Sequence, residues 1–306
     1  MSRHARQEHA ADSMPAENQL SPAAGGPAMI DVSGVTITVG DKTLLREISM
    51  TARAGRVVGL IGPNGAGKST LLAALAGDRA PAAGAISLNG VNPYATSARH
   101  LAQCRAVMLQ DVGVSFSFLV RDVVEMGRRP WGGTERSAHD DAVVDAAMQA
   151  TEVYHLAHRD VMTLSGGERA RVALARVLAQ QTPVVFLDEP TAALDIGHQE
   201  QALGLMRAMA RAGAAVIVVL HDLNAAAAYC DDIVCLGNGT IAAQGSVEDV
   251  YVDTILSEVY GWQIAVNQVP DPGDPSRLIP HVVPRRGHVS REHTTGLQLG
   301  MQLPPV

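Results

Sequence analysis

The sequence predicts an α/β protein built on a largely parallel sheet, and three observations carry that prediction. Three apolar runs, RVVGLIG (56–62), PVVFLDEP (183–190) and AAVIVVLHD (214–222), have the length and β-branched content of strands buried on both faces. Stretches of helical periodicity lie between them, the alternation that builds a parallel sheet. Each run also ends in groups that carry chemistry: a glycine loop with Lys68, then Asp188 and Glu189, then His221. Ligands of such sheets sit beyond the carboxyl ends of the strands, so these side chains are expected to converge.

Taken in order, residues 1–28 are rich in Ala, Pro, Ser and Gly and lack the apolar centre of a signal peptide. They read as a disordered leader, or as residues upstream of a start at Met14 or Met29. VTITV (35–39) alternates as a strand, and the GD pair at 40–41 reads as a hairpin turn.

LIGPNGAGKST (60–70) then leaves a strand and enters a helix, TLLAALAG, that ends at Gly77. A structural turn needs one glycine or two. Here Gly62, Gly65 and Gly67 alternate with Pro63, Asn64 and Ala66 before Lys68, Ser69 and Thr70. This is the G-x-x-x-x-G-K-[ST] pattern of a phosphate loop. Polyphosphate must approach several backbone N–H groups, and Cβ atoms on the loop would obstruct it. The following helix start favours an anion, Lys68 is placed to reach the β- and γ-phosphates, and the Ser69 hydroxyl to ligate Mg²⁺. An ordinary glycine-rich turn is the competing reading of this stretch alone.

AVMLQ ends another apolar stretch at Gln110, a candidate sensor of metal and attacking water or a plain surface glutamine. A helical region follows over about 120–160, where SAHDDAVVDAAMQATEV spaces apolar residues three and four apart. In LSGGERARVALARVL (164–178), Leu164, Ser165, Gly166, Gly167 and Glu168 open a long helix. Ser165 and Glu168 have capping-box spacing, but a capping box needs no pair of glycines. Their presence suggests backbone approaching a ligand, a second anion-binding helix start in a chain whose first is in use. The economical arrangement is a dimer in which each chain offers these residues to the other's γ-phosphate.

Asp188 and Glu189 follow four apolar strand residues, where a charge is costly unless paired or bound to metal. Asp188 is placed to hold Mg²⁺ through water, and Glu189 to act as general base on the water that attacks the γ-phosphate. A solvated acidic strand end is the bland alternative. IVCLGNGTIAAQG (233–245) reads as a hairpin around Asn238 and Gly239, and the polar stretch 285–306 as a disordered tail. The folded part is expected over 29–284.

With 306 residues and 47% hydrophobic content, the chain can bury a large core, and with 3% aromatics it must do so with aliphatic residues and alanine. A net charge of -7 argues against general nucleic-acid binding. Cys104, Cys230 and Cys235 lack zinc-site spacing and are odd in number, which suits reduced thiols. The apolar runs are far shorter than the ~20 residues that span a bilayer.

The motif set resembles the ATP-binding subunits of ABC transporters. GPNGAGKST stands as Walker A, Gln110 as the Q-loop, LSGGE as the signature, VVFLDEP as Walker B, Ala193, Leu194 and Asp195 in the D-loop, and His221 as the switch histidine. All occur in family order over about residues 30–265. The resemblance implies a RecA-like P-loop NTPase core with an antiparallel β subdomain and a helical subdomain near 111–165. It implies ATP and Mg²⁺ as ligands, with Ser69, Gln110 and Asp188 around the metal and the signature acting in trans across a homodimer. Most members stack an aromatic ring on adenine where this chain has Val39. The partners implied are two copies of a membrane permease and, indirectly, a solute-binding protein, with the subunit peripheral on the cytoplasmic face of the inner membrane.

LDIGHQ, HDLNAAAAYCDDIVCL and EVYG…LIPHVVP look most like haem-importer ATPases, with siderophore and cobalamin importers as the alternative. A soluble ABC ATPase of translation or repair is the reading from another class. It fits less well, because one cassette is present and no long coiled coil separates Lys68 from Ser165. Phe116, Phe118, Arg128 and Trp131, scarce aromatics beside basic residues, suggest a docking groove for the permease; local core is the alternative.

Overall fold

A computed structural model of the chain describes residues 26–109 and 117–287. Gln110 and Phe116 lie outside the described residues, as do most of the leader and of the tail.

The chain opens with a hairpin, β1 (Ala28–Val39) and β2 (Lys42–Arg53), turning at the predicted GD pair. β3 (Val57–Ile61) enters the core and is followed by the glycine loop and α1 (Lys68–Leu75). β4 (Ala83–Leu88) returns to pair with β1, giving a three-stranded antiparallel sheet in the order β2-β1-β4. Next come α2 (Ala98–Cys104), β5 (Arg105–Met108), α3 (Val120–Glu125), α4 (Asp140–Ala150) and the long α5 (Gly166–Gln180). β6 (Val184–Asp188), α6 (Ile196–Arg211), β7 (Ala215–Val219), α7 (Leu223–Tyr229) and β8 (Asp232–Gly237) continue the alternation. β9 (Thr240–Ser246) closes the hairpin at Asn238 and Gly239. A C-terminal segment of α8 (Val247–Val250), α9 (Asp253–Tyr260) and the hairpin β10 (Ile264–Pro270) and β11 (Leu278–Pro284) completes the described chain.

The central sheet has the order β5-β6-β7-β3-β8-β9, parallel throughout except for β9. Its strands β3, β6 and β7 are buried at every position because both faces are covered. Val185 and Leu187 of β6 pack with Val216 and Val218 of β7 in one core, while Phe186, Ile217 and Val219 pack in the other. That second core also holds the inward side chains of the antiparallel sheet, among them Ile30, Ile37 and Ile48. The sheet places the ends of β3, β6 and β7 side by side, which is what the site requires.

The helices from α3 to α5 form a third apolar cluster around Val120, Val124, Met148 and Val172. Here the structure corrects one expectation. Arg128 and Trp131 are not a docking surface: they are 3% and 8% exposed. α5 ends against them, and its last carbonyls lack helical partners. Arg128 Nη1 donates to Ala179 O at 2.7 Å, and Trp131 Nε1 donates to Gln180 O at 2.7 Å. Arg128 also pairs with Asp140 at 2.7 Å and donates to Arg136 O and Gln181 Oε1. These side chains cap a helix. Phe118 is half-buried and packs against the same cluster.

Candidate nucleotide site

The glycine loop bends away from β3 because its backbone takes conformations that side chains disfavour. Gly62 has φ 140, and a Cβ there would lie 2.3 Å from Leu236 O. Nothing lies within 4 Å of the Cβ position of Gly65, so that peptide faces open space, as an anion cradle needs. Asn64 and Gly65 are exposed while Ala66 is buried beneath them. Gly67 caps α1 with no side-chain hydrogen bond, which leaves the helix start to other partners.

Lys68 is 6% exposed, with Nζ donating to Gly62 O at 2.7 Å and Pro63 O at 3.1 Å. Burial lowers its pKa, opposed by the nearby charges of Glu189 and Asp188. The Ser69 hydroxyl lies 3.4 Å from Asp188 Oδ1, joining the start of α1 to the end of β6. Burial raises the Asp188 pKa, and the Ser69 hydrogen bond offsets it in part. A buried carboxylate beside a hydroxyl and a second carboxylate fits a divalent cation that completes its shell with phosphate oxygens and water. Among the described residues no cluster of three His, Cys, Asp or Glu side chains could hold a metal unaided.

Glu189 follows Asp188 with φ 51, in the left-handed region that costs a non-glycine residue on the order of 1 kcal/mol and marks functional turns. Its Oε1 lies 2.5 Å from His221 Nε2. An ionised carboxylate only accepts, so Nε2 carries the proton. Leu44, Asn64, Gly65, Gly67, Lys68, Ser69, Thr70, Glu189 and His221 line one cleft of about 600 Å³. The structure thus joins residues 64–65 and 67–70 with 189 and 221. Val39 is not in that lining; it lies 45% exposed at the end of β1. Leu44, on the partner strand of that hairpin, does line the cleft, and no sequence signal marks it, because the hairpin register decides which side chain faces the loop.

The signature residues lie outside this cleft in the same chain. Ser165 and Glu168 form the complete capping box: Glu168 N donates to Ser165 Oγ at 3.2 Å and Ser165 N to Glu168 Oε2 at 2.7 Å. That bond holds the Glu168 carboxyl below its ordinary range. Gly167 has a reason within the chain, since a Cβ there would stand 3.1 Å from Ala193 O of the D-loop. Gly166 is exposed, and the nearest atom to its Cβ position is Ala193 Cβ at 3.9 Å. Leu164 and Leu194 are buried, while Ser165, Ala193 and Asp195 face outward. Asp195 caps α6 by accepting from His198 N at 3.0 Å.

A glycine phosphate loop at the central strand of a parallel sheet, with carboxylates at the end of a neighbouring strand, defines a P-loop nucleoside triphosphatase. The family model described as ABC transporter matches residues 45–192. The chain is 49% identical over 263 residues to the "Hemin import ATP-binding protein HmuV" of Streptomyces coelicolor, covering 86% of this chain and 94% of that protein. It is 42% identical over 245 residues to a "Cobalamin import ATP-binding protein BtuD" of Halobacterium salinarum, covering 80% of this chain and 62% of that one. Among solved structures, the "Dimeric Structure of MJ0796, a Bacterial ABC Transporter Cassette" superposes with a TM-score of 0.65 at 25% identity, over 71% of this chain and 98% of that one. The chain belongs to the ATP-binding subunits of the ABC transporter family. It binds and hydrolyses ATP within a membrane-associated transporter, alongside a permease. No helix among the described residues is long and apolar enough to cross a membrane.

Proposed function

We propose that this chain is the ATP-hydrolysing subunit of a bacterial importer for haem. It works as a homodimer beneath two copies of a permease, on the cytoplasmic face of the inner membrane, supplied by a solute-binding protein. The observation that carries the solute is the near half identity, over almost its whole length, to a protein named for hemin import. The 42% identity to a cobalamin-import protein keeps a corrinoid as the second reading.

Each residue's part follows from its place. The backbone N–H groups of residues 62–67 and the start of α1 hold the phosphates. Lys68 neutralises them. Ser69 and Asp188 would hold Mg²⁺, which would supply electrostatic stabilisation to the phosphates. Gln110 would be a further ligand of that metal. Glu189 takes a proton from the water that attacks the γ-phosphate, and the His221 imidazole N–H fixes the orientation of its carboxylate. Leu164, Ser165, Gly166, Gly167 and Glu168 present the start of α5 to the nucleotide of the partner chain, with Ala193, Leu194 and Asp195 packed beside them. The exposed Ser165 and Gly166, placed away from their own chain's cleft, support this. Val39, where most relatives carry an aromatic ring, offers the base apolar contact without a ring, and Leu44 lines the cleft beside the phosphate loop.

The test is to reconstitute the subunit with its permease in proteoliposomes and add binding protein loaded with haem, a ferric siderophore or cobalamin. Haem-loaded protein is expected to stimulate ATP hydrolysis several-fold over the others. Stimulation by cobalamin alone selects the second reading, and none with any solute overturns the importer.

A further inference from the structure

The family model ends at residue 192, yet the segment from Val247 to Pro284 reaches both loops of the cleft. Tyr260, the last residue of α9, accepts a hydrogen bond from Gly62 N at 3.0 Å, across 198 residues of sequence. Burial keeps its phenol well above the ordinary range, so the hydroxyl stays neutral. Gly62 is the first residue of the phosphate loop, and its carbonyl accepts from Lys68 at 2.7 Å. Both polar groups of this glycine are therefore engaged, one by the catalytic lysine and one by the C-terminal segment.

The same segment holds the other side of the site. Tyr251, 4% exposed, donates from its hydroxyl to Leu223 O at 2.7 Å. Asn224 makes a paired contact with β11: its Oδ1 accepts from Val282 N at 2.7 Å, and its Nδ2 donates to Val282 O at 3.4 Å. Leu223 and Asn224 open α7 directly after His221 and Asp222. The segment is tied together internally as well. Ser257 Oγ accepts from Ile264 N, and Asp253 accepts from Val266 N, which lock α9 to β10.

We propose that residues 247–284 act as a brace that sets the phosphate loop and the switch-histidine loop relative to each other. Tyr260 is the positioning residue for the first loop, and Tyr251 with Asn224 for the second. This rests on the reading that ATP occupies the cleft. As Lys68 turns from the Gly62 carbonyl to a phosphate, the Tyr260 bond is the contact that keeps Gly62 in place.

The two anchors predict different kinetics, measured on the full chain. Tyr260→Phe removes one hydrogen bond to the loop that binds phosphate. It should raise the KM for ATP about three- to tenfold with kcat within about twofold, and speed hydrogen exchange at the Gly62 amide. Tyr251→Phe and Asn224→Ala loosen the loop that carries His221. They should lower kcat by a similar factor and leave KM nearly unchanged. An unchanged KM in Tyr260→Phe overturns the brace. So does a fall in kcat at unchanged KM that follows the melting temperature in all three variants, since loss of part of the folded population lowers the apparent kcat alone. The predicted effects are to be read at a temperature where every variant is fully folded. If the wild-type chain itself fails to bind ATP, the underlying reading of the cleft falls instead.

Discussion

His221 Nε2 donates to Glu189 Oε1 at 2.5 Å, joining the end of β7 to the end of β6 across 32 residues. Two features set this contact. The parallel register pairs Asp188 with Val219, so the residues that follow each strand emerge side by side. The left-handed backbone at Glu189 then turns its side chain across the strand ends instead of along them. Glu189 thereby lines the cleft with His221, whereas Asp188, one residue earlier, remains 5% exposed beneath Ser69. Two adjacent carboxylates thus meet different surroundings, Asp188 beneath the Ser69 hydroxyl and Glu189 beside His221.

Asp188→Asn tests that difference. Burial raises the Asp188 pKa, so its ionised form costs stability above the folded-state value. The cost fades as pH falls through that value toward the ordinary carboxylate range. The asparagine variant should therefore melt higher than wild type at pH 7 without nucleotide, by about 2–4 °C for each 1 kcal/mol relieved. The gap should close on acidification to about pH 4. Addition of MgATP should stabilise the variant far less than wild type. Thermal melts across pH, with and without MgATP, check all three; a variant that melts lower at pH 7 contradicts the assignment.

Arg128→Glu should unfold the helical region instead of uncoupling a partner. It puts a second carboxylate beside Asp140 and strands the carbonyl of Ala179. Breaking a buried pair of this kind costs about 3–5 kcal/mol, with the half-exposed Asp140 favouring the lower end. Far-UV circular dichroism and a melt of the isolated subunit measure it. A normally folded variant that has lost only its binding to permease would restore the docking reading.

How far the sequence could be read depends on where the determining contact lies. The strand VVFLD and the loop GPNGAGKST carry their cause locally, in β-branched content and in glycines that the backbone demands, and both were legible. Arg128 and Trp131 were misjudged because scarcity of aromatics says nothing about direction. What fixes them is the need of α5 for donors at its last carbonyls, some 50 residues away. The glycine pair of the signature was only half legible: the approach of Gly167 to Ala193 O is a contact between separate elements. The hairpin β10–β11 carried no local signal, since prolines and charged turns interrupt it, and its docking on Asn224 is tertiary.

Sharing of sites between chains can be tested by mixing two inactive proteins. Lys68→Ala should weaken binding of a labelled ATP analogue, by about tenfold or more, because a charge-assisted contact to phosphate is lost. Ser165→Arg should abolish hydrolysis while leaving the phosphate loop intact; it also removes the cap of α5, at about 1 kcal/mol. Mixed dimers hold one site with an intact phosphate loop from one chain and an intact signature from the other. Hydrolysis measurably above either parent is expected. Parental rates in mixed dimers shown to form would contradict a shared site.

The most direct measurement is made on Glu189→Gln. The substitution removes the base but keeps the Asp188 carboxylate, the Ser69 hydroxyl and the glycine cradle. ATP affinity should stay within about twofold of wild type, and single-turnover hydrolysis should fall by about 10²–10⁴. The protein should accumulate as an ATP-bound dimer, visible by light scattering. Near-wild-type hydrolysis by Glu189→Gln would contradict the account at its centre.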